Sequence, residues 1–539
     1  MHLIFVTGGV VSGLGKGIST SSIAKVLKMK GFSATVMKID PYINFDAGTL
    51  RPSEHGEVWV TEDGGETDQD LGNYERFTDT TLGKKHNVTT GQVFSTVIER
   101  ERKGEYLGKT VQPIPHITDE IKKRIIDVAD STKADFVLIE IGGVVGDYEN
   151  ILFLETARQM KLENIPVVFV HVAYLPFLEK LGEIKSKPVQ HSTRELLSLG
   201  IQPDFIICRS AMPIDDVRKE KIGLFCNIAK QNIIDNPDIG NIYELPLFFE
   251  EQDFGNKILK KFNIDAKPSD DIEWKNFVNI LNNVDKTIKI GIVGKYFDIG
   301  GYKLLDSYVS VIEAVRHACA ENQVSPDIRW IDSKDFEKYP SRLDDLKQLD
   351  GIIIPGGFGG SGVEGKISAI QYARENNIPY LGLCYGMQLA VIEFARNVCK
   401  LENAHSTEIL PDCKNPVVDI LPWQKEIIAK QNYGATMRLG GQIVKIKPGT
   451  LAYATYNKGN VIERFRHRYE INPDYVNILE KYGLIFSGST PDETIKQIAE
   501  LPGHKFFIAS QFHPEFTSRP LKPNPLFDGF VKACIDLVR

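Results

Sequence analysis

Short apolar runs recur through the first half of the chain, "LIFVT", "SATVMKI", "DFVLIEIGG", "VVFVHVA" and "DFIICRS", and amphipathic stretches at helical spacing separate them. This alternation predicts a mostly parallel sheet covered by helices on both faces. Ligands of such a sheet bind beyond the C-terminal ends of its strands. Over residues 267–287 the pattern gives way to the polar "KPSDDIEWKNFVNILNNVDKT", which reads as a linker with one short helix. The alternation then restarts with "IKIGIVGKY", "DIRWI", "GIIIPGGFGG" and "PYLGLCYG", and a late strand, "FFIAS", precedes "QFHPE". A second α/β domain of about 250 residues is therefore expected. The predicted organisation is a first domain over 1–266, a linker over 267–287 and a second domain over 288–539, with no internal repeat or low-complexity tract.

The length of 539 residues agrees, being too great for one hydrophobic core. A formal net charge of -7 gives no general attraction to nucleic acid or membrane, so an anionic ligand must be held by a local group of Lys and Arg. The seven cysteines are scattered, odd in number and form no CxxC pair, which speaks against a disulfide framework or zinc site and for a reducing compartment. The start of the chain has no basic stretch followed by an apolar one, and no run of 18 apolar residues occurs. A soluble, cytoplasmic protein is the expectation.

Two stretches carry chemistry. The first, "GGVVSGLGKG" at residues 8–17, follows the first strand and opens a helix. Loop N–H groups and the helix N-terminus would cradle a phosphate, and Lys16 adds a full charge. The spelling departs from the usual P-loop: five residues separate Gly9 from Gly15, and Gly17 stands where a magnesium-binding hydroxyl is usual. Glycines alone would suit a ligand-free turn equally well; the place after the first strand with Lys at the helix start favours the phosphate. Lys38, at the end of "VMKIDPY", is placed to reach the same site, although a strand-end lysine is also a common surface charge. Glu140, closing the apolar "FVLIEIGG", is costly to bury without a cation or partner and is a candidate Mg²⁺ ligand. Asp70 in "ETDQDLGNYERF" is a second, which composition alone leaves open.

The other stretch, "IPYLGLCYGMQLAVIEFA", sets Cys384 between a strand and a helix as G-x-C-x-G, the nucleophile elbow with sulfur in place of oxygen. "QFHPEF" offers His513 as base and Glu515 to orient it. A backbone N–H at or near Gly357, with that of Tyr385, would form an oxyanion hole. Acyl transfer through a thioester follows from these parts, and the other six cysteines read as structural.

Together these motifs resemble a known family. "PGGFG", "GLCYGMQ", "ENAHSTE", "RHRYE" and "SQFHPEF" resemble the class I glutamine amidotransferase domain, while "FVTGGVVSGLGKG", "MKIDPYIN", "HGEV", "TEDGGETDQDLGNYERF", "EIGGVVGD" and "QHSTRELLSLGIQPDFIICRS" resemble the synthetase domain of the CTP synthase family. The resemblance implies two doubly wound α/β domains, the first a P-loop fold like that of dethiobiotin synthetase. It implies that MgATP phosphorylates the 4-oxygen of UTP, that ammonia from glutamine displaces the phosphate to give CTP, that GTP activates and CTP inhibits, and that the chain forms a homotetramer, a dimer of dimers.

Carried over by motif, Lys16 and Lys38 would act on the ATP phosphates, with Asp70 and Glu140 on Mg²⁺. Gly13, Leu14, Gly15, Gly17 and Ile18 would complete the ATP loop, joined by Arg209, Asp238 and Ile239. Ser12, Gln112, Asp147, Tyr148 and Glu149 would contact UTP or CTP. So would Lys185, Ser186, Lys187, Pro188, Val189, Gln190 and Lys221; without the family, "EIKSKPVQH" reads as a solvated basic loop. Gly357, Tyr385, Gly386, Met387, Gln388, Glu408 and Arg468 would hold glutamine, the Arg suiting its α-carboxylate. Pro52, His55 and Val58 would line the ammonia entrance, and residues 302–305 fall near the lid over the glutaminase. Two other readings compete. An amide synthase of the cobyrinic or cobyric acid type would amidate a carboxylate, which "MKIDPYIN" and "EIKSKPVQH" argue against. A partitioning-type P-loop switch with an inactive glutaminase fold is disfavoured by the intact Cys384, His513 and Glu515.

Overall fold

In a computed structural model, which describes residues 1–51, 55–294, 305–420 and 437–536, the apolar runs of the first half become one all-parallel sheet. Pro52 and residues 302–304 lie outside the described residues. The chain divides into two units, Met1–Thr49 with Glu66–Val278, and Leu50–Gly65 with Asn279–Arg539. Helix Ile272–Asn283 occupies the stretch expected as linker, and the division falls inside it. The transfer of residues 50–65 to the second unit differs from the sequence reading. Nothing in local hydropathy marks it, because the segment is joined to its partners only by long-range contacts.

The first sheet has seven strands in the order Ile233–Pro237, Phe205–Ser210, Val167–Leu175, His2–Gly9, Phe136–Ile141, Ala34–Asp40 and Asn87–Thr89. Every pairing is parallel. Strand Phe136–Ile141 is buried at all its positions, as expected of a parallel strand covered on both faces. Leu3, Phe5, Val137 and Ile139 join a core with Ile121, Ile125 and Val128 of helix Thr118–Thr132 and with Leu154 and Ala157 of helix Ile151–Leu162. Burying each of the larger of these side chains contributes about 1.5–3 kcal/mol. From the central strand His2–Gly9 the chain builds outward first on one side and later on the other, so the loop after Gly9 sits where strand order reverses, the usual ligand crevice.

The second unit has a nine-stranded sheet. Five strands, Ser325–Asp332, Thr287–Gly294, Gly351–Ile354, Tyr380–Leu383 and Phe507–Ser510, run parallel. Four more, Lys496–Glu500, Ile485–Ser489, Arg438–Ile446 and Asn460–His467, extend it antiparallel. The antiparallel part was not expected. Strands Arg438–Ile446 and Asn460–His467 bury only some of their residues, so neither shows the unbroken apolar run by which a parallel strand is recognised. Segment 50–65 lies along the first of them: the Gly441 N–H donates to the Glu62 carbonyl at 2.7 Å. Gly440 has φ of 80°, and a Cβ there would stand 2.6 Å from the Gly64 nitrogen, so glycine is required for the approach.

Candidate active sites

Lys16 opens helix Lys16–Met29 behind Gly15, whose φ of 77° turns the loop into the helix. Side-chain hydroxyls at Thr20 and Ser21 bond back to the Lys16 and Gly17 carbonyls at 2.8 and 2.7 Å, which suits a helix built from small polar residues. The Lys16 ammonium lies back over the loop and donates to the Gly143 carbonyl at 2.7 Å. A Cβ at Gly8 would come 2.5 Å from its Cδ, so the first glycine of the stretch leaves room for the lysine stem. Ser12 and Gly13 are exposed, Leu14 is buried and Ile18 is half-buried.

Lys38 and Glu140 are register partners on adjacent parallel strands, so their side chains leave the same face. The Lys38 Nζ donates to Glu140 Oε1 at 3.0 Å and to Asp70 Oδ2, with Asp68 at 3.9 Å and Asp40 at 4.0 Å. Asp70 is the first residue of helix Asp70–Thr78, and one turn later the Tyr74 hydroxyl donates to Glu140 Oε2 at 2.5 Å. Burial raises Asp68 well above the carboxylate range and also raises Asp40 and Glu140. Burial pushes Asp70 up too, but Lys38 and Lys16 outweigh it and hold this carboxyl below its ordinary value. Lys38 is pulled down by burial and lifted further by Asp70 and Glu140, ending well above the usual ammonium range.

Four buried or half-buried carboxylates thus share two ammonium groups, a donor set of hard oxygens short of positive charge. That fits Mg²⁺, which takes one or two carboxylates and fills its shell from phosphate and water. Among the described residues no three His, Cys, Asp or Glu side chains form a ready-made cage. Gly17 belongs to this site as well: a Cβ there would stand 2.1 Å from Asp70 Oδ1. The carboxylate fills the space that a P-loop hydroxyl would need.

Arg209, next to last in strand Phe205–Ser210, donates to the Pro237 carbonyl at 2.6 Å and pairs with Asp238 at 2.8 Å, beside the half-buried Ile239. Helix Lys187–Ser198 starts after Ser186, and Gln190 Nε2 donates to Ser186 Oγ at 3.1 Å. Pro188 lies in its first turn, Val189 is buried, and Lys185 pairs with Glu183 at 2.6 Å. The Asp147 carboxylate caps its own turn from the Val144 N–H at 3.2 Å. Gln112, Tyr148, Glu149 and Lys221 are exposed, Tyr148 almost wholly, and no direct bond ties them to the loop among the described residues.

In the second unit Cys384 caps helix Tyr385–Asn397 with φ of 50° and ψ of -95°, a conformation a non-glycine residue holds only under constraint. Its N–H donates to the Ser510 carbonyl at 2.7 Å, and its Sγ lies 3.7 Å from the Arg466 carbonyl and 3.6 Å from Gln511 Nε2. His513 Nδ1 and Glu515 Oε1 are 2.8 Å apart. Burial alone would lower the imidazole; Glu515 and Cys384 overcome it and raise it from 6.5 to about 10. A Cβ on Gly356 would meet His513 Cε1 at 2.9 Å and Cys384 Cβ at 3.9 Å, so base, nucleophile and the glycine turn converge. The helix behind the thiol packs tightly, for a Cβ at Gly386 would come 2.3 Å from the Ile354 carbonyl, and Met387 is fully buried.

Around this thiol, Gln388 Nε2 donates to the Tyr469 carbonyl at 3.0 Å, while its Oε1 is buried without a hydrogen-bond partner among the described residues. Glu408 Oε1 accepts from the Gly359 N–H at 2.8 Å, beside Gly357. The Tyr469 phenol is raised by burial and Glu408 and lowered by Arg468, which brings Glu408 and Arg468 to one place. Val58 is buried and His55 exposed.

The family model for the CTP synthase N-terminus matches residues 2–264, and that for class-I glutamine amidotransferase matches residues 303–533. A CTP synthase of Pyrococcus abyssi is 54% identical over 533 residues, 98% of this chain and 97% of the relative. One from Methanocaldococcus jannaschii is 52% identical over 542 residues, 99% and 98% of the two chains. The chain belongs to the CTP synthase family. A solved glutaminase domain of Trypanosoma brucei CTPS with bound acivicin is 38% identical, covering 46% of this chain and 94% of its own, with a TM-score of 0.43.

Several residues of both sites escaped the sequence reading. Asp40 and Asp68 each stand two residues from a named group, and Tyr74 lies one helical turn beyond Asp70; that spacing was a usable signal. Gly143, Gly356 and Gln511 gave none, because only the folded chain brings them to Lys16, His513 and Cys384.

Proposed function

We propose that the chain makes CTP from UTP, ATP and glutamine, and that two separate sets of side chains divide the work. The observation that carries the reading is the presence on one chain of a buried Lys16–Lys38–Asp70–Glu140 cluster beside a glycine loop and of a constrained Cys384 beside a His513–Glu515 pair. In the second unit the Cys384 sulfur attacks the glutamine side-chain carbonyl, and His513 delivers its proton to the leaving ammonia. Water then cleaves the thioester, with His513 as base and Glu515 holding the imidazole in one orientation. The Tyr385 and Gly357 N–H groups stabilise the oxyanion. Gln388, Glu408 and Arg468 hold the amino-acid end, which the Gln388 oxygen, buried and without a hydrogen-bond partner among the described residues, supports.

In the first unit Lys16 and Lys38 neutralise the transferring phosphoryl group of ATP, since phosphoryl transfer depends chiefly on positioning and charge. Mg²⁺ held by Asp70 and Glu140 would supply further charge neutralisation. The 4-oxygen of UTP takes the phosphoryl group, and ammonia then displaces phosphate from that carbon. Ser12, Gln112, Asp147, Tyr148, Glu149 and the start of helix Lys187–Ser198 with Lys185 and Lys221 form the pyrimidine nucleotide site, with His55 and Val58 at the ammonia entrance. Activation by GTP, inhibition by CTP, a homotetramer and a cytoplasmic location belong to the same reading; among the described residues no helix is long and apolar enough to cross a membrane.

The test is incubation with UTP, ATP and either glutamine or an ammonium salt, following the absorbance of the cytosine product. Cys384→Ala abolishes use of glutamine and keeps use of ammonia. Loss of both in a folded variant contradicts two separate sites, and no product from either nitrogen source in the parent overturns the reading as a whole.

A further inference from the structure

Residues 50–65 lie within the stretch matched to the synthetase half, yet their contacts are with the glutaminase unit. They are fastened there at several points. The Glu57 carboxylate accepts from the Ser310 N–H at 3.1 and 3.2 Å and from its hydroxyl, and the Gly441 N–H donates to the Glu62 carbonyl at 2.7 Å. Between these anchors Trp59 is fully buried. Its ring lies 4.9 Å from that of Phe516 at 60°, and the Phe516 ring stacks on the His513 imidazole at 5.1 Å and 19°. The Arg464 guanidinium sits 5.4 Å over the Trp59 ring, and its Nη1 donates to the Val60 carbonyl at 3.0 Å. The Arg464 carbonyl in turn accepts the His513 N–H at 2.8 Å.

We propose that Trp59 is a positioning residue for glutamine hydrolysis, fixing the plane of the His513 imidazole through Phe516. The inference rests on the glutaminase reading given above. Glu515 holds one ring nitrogen at 2.8 Å, which leaves the imidazole free to swing about that bond. A flat partner on its face removes this freedom, and Phe516 can serve only if it is itself wedged. Trp59 is the wedge, and Arg464 closes the assembly by holding both the Val60 carbonyl and, through its own carbonyl, the His513 main chain. The charged groups facing the imidazole are Glu515 and the Cys384 thiol; the Arg464 guanidinium is directed at Trp59. An aromatic face also favours a protonated imidazole over a neutral one, so the stack supports the form of His513 that delivers a proton to the leaving ammonia.

The experiment uses the full chain in four forms: parent, Trp59→Ala, Trp59→Phe and Phe516→Leu. Glutamate release gives kcat and KM for glutamine, and the rate of iodoacetamide alkylation reports the reactivity of Cys384. Since misplacing a catalytic group by an ångström costs up to about 100-fold, Trp59→Ala and Phe516→Leu are expected to lower kcat about tenfold or more with little change in KM. Alkylation is expected to slow in Trp59→Ala and Phe516→Leu, because a thiol is activated only by a base held beside it. Trp59→Phe, which keeps a ring in the wedge, restores most of both. Parental kcat in Trp59→Ala overturns the proposal, as does a loss confined to KM, or a Trp59→Phe no better than Trp59→Ala. Should Trp59→Ala fail to fold, Phe516→Leu and Trp59→Phe decide in the same terms. A parent that neither hydrolyses glutamine nor is alkylated at Cys384 refutes instead the glutaminase reading beneath it.

Discussion

Replacing Gly17 by serine would restore the hydroxyl that the usual P-loop carries after its lysine, and it is expected to damage the site. A Cβ at this position stands 2.1 Å from Asp70 Oδ1 against an ordinary contact of 3.4 Å, so the carboxylate must retreat by the difference, 1.3 Å. Asp70 accepts from Lys38, and a retreat of that size breaks the bond. Losing a charge-assisted hydrogen bond in a buried cluster costs about 2 kcal/mol. For a unit of this size that lowers Tm by about 4–8 °C. The larger effect is kinetic, because Asp70 and Lys38 are displaced together: ATP-dependent CTP formation should fall about 100-fold, with either nitrogen source. Glutamine hydrolysis at Cys384 in the absence of nucleotides should keep its parental rate. The assay is CTP absorbance with ammonium chloride, run beside glutamate release and a melting curve. Asp70→Ala supplies the double-mutant cycle, and Gly17→Ser should cost little more once the Asp70 carboxylate is gone. Parental or improved CTP formation in Gly17→Ser would refute the steric reasoning and give the hydroxyl the role assigned here to Asp70.

Glu515→Gln removes the charge that, with Cys384, raises His513 to about 10, and glutamine hydrolysis should drop by about 10²–10⁴ while ammonia use persists. Because the folded imidazole is raised above its ordinary 6.5, its contribution to stability is complete below that value and is lost as pH rises toward 10; denaturation curves of parent and variant should differ most below pH 6.5 and converge above 10. His171 has the opposite sign. Burial, with Lys16, lowers it from 6.5 to about 3 between Thr7 and Ser192, so stability is complete above 6.5 and falls on acidification. The slope is about 1.4 kcal/mol per pH unit below 6.5, and urea titrations of His171→Asn should lack that component. Lys38→Met strips Asp70 and Glu140 of their common cation, and breaking such a buried pair costs about 3–5 kcal/mol. Its Tm in EDTA should fall, and added Mg²⁺ should raise it more than it raises the parent; equal Mg²⁺ shifts would count against the carboxylates as an ion site.

How legible was this in the sequence? Five of the seven parallel strands were readable because burial on both faces makes each an unbroken apolar run, and the ends of those runs pointed directly to Gly9, Lys38 and Glu140; the edge strands Asn87–Thr89 and Ile233–Pro237 are too short and too polar to show such a run. Cys384 was equally readable, since a strand, a cysteine between glycines and a helix leave little choice of geometry. The strands Arg438–Ile446 and Asn460–His467 were not, because half-exposed antiparallel strands mix polar with apolar residues. Asp68 was passed over although it stands two residues before Asp70, where its side chain accepts the Asp70 N–H at 2.9 Å. Phe516 and Trp59 were beyond reach for a different reason: they meet across more than four hundred positions of chain, and no local pattern records such a meeting.

The placement of residues 50–65 also bears on how the chain can be cut and recombined. A scissor at the polar stretch before residue 288 looks natural by sequence, yet the piece it releases leaves behind the tryptophan that backs Phe516 and the backbone that lines strand Arg438–Ile446. Anyone grafting a foreign glutaminase onto this synthetase would inherit a sixteen-residue adaptor shaped for the original, Leu50–Gly65. The two catalysts are thus not interchangeable cartridges: part of one is encoded inside the other, and they must be exchanged, or evolve, as a matched pair.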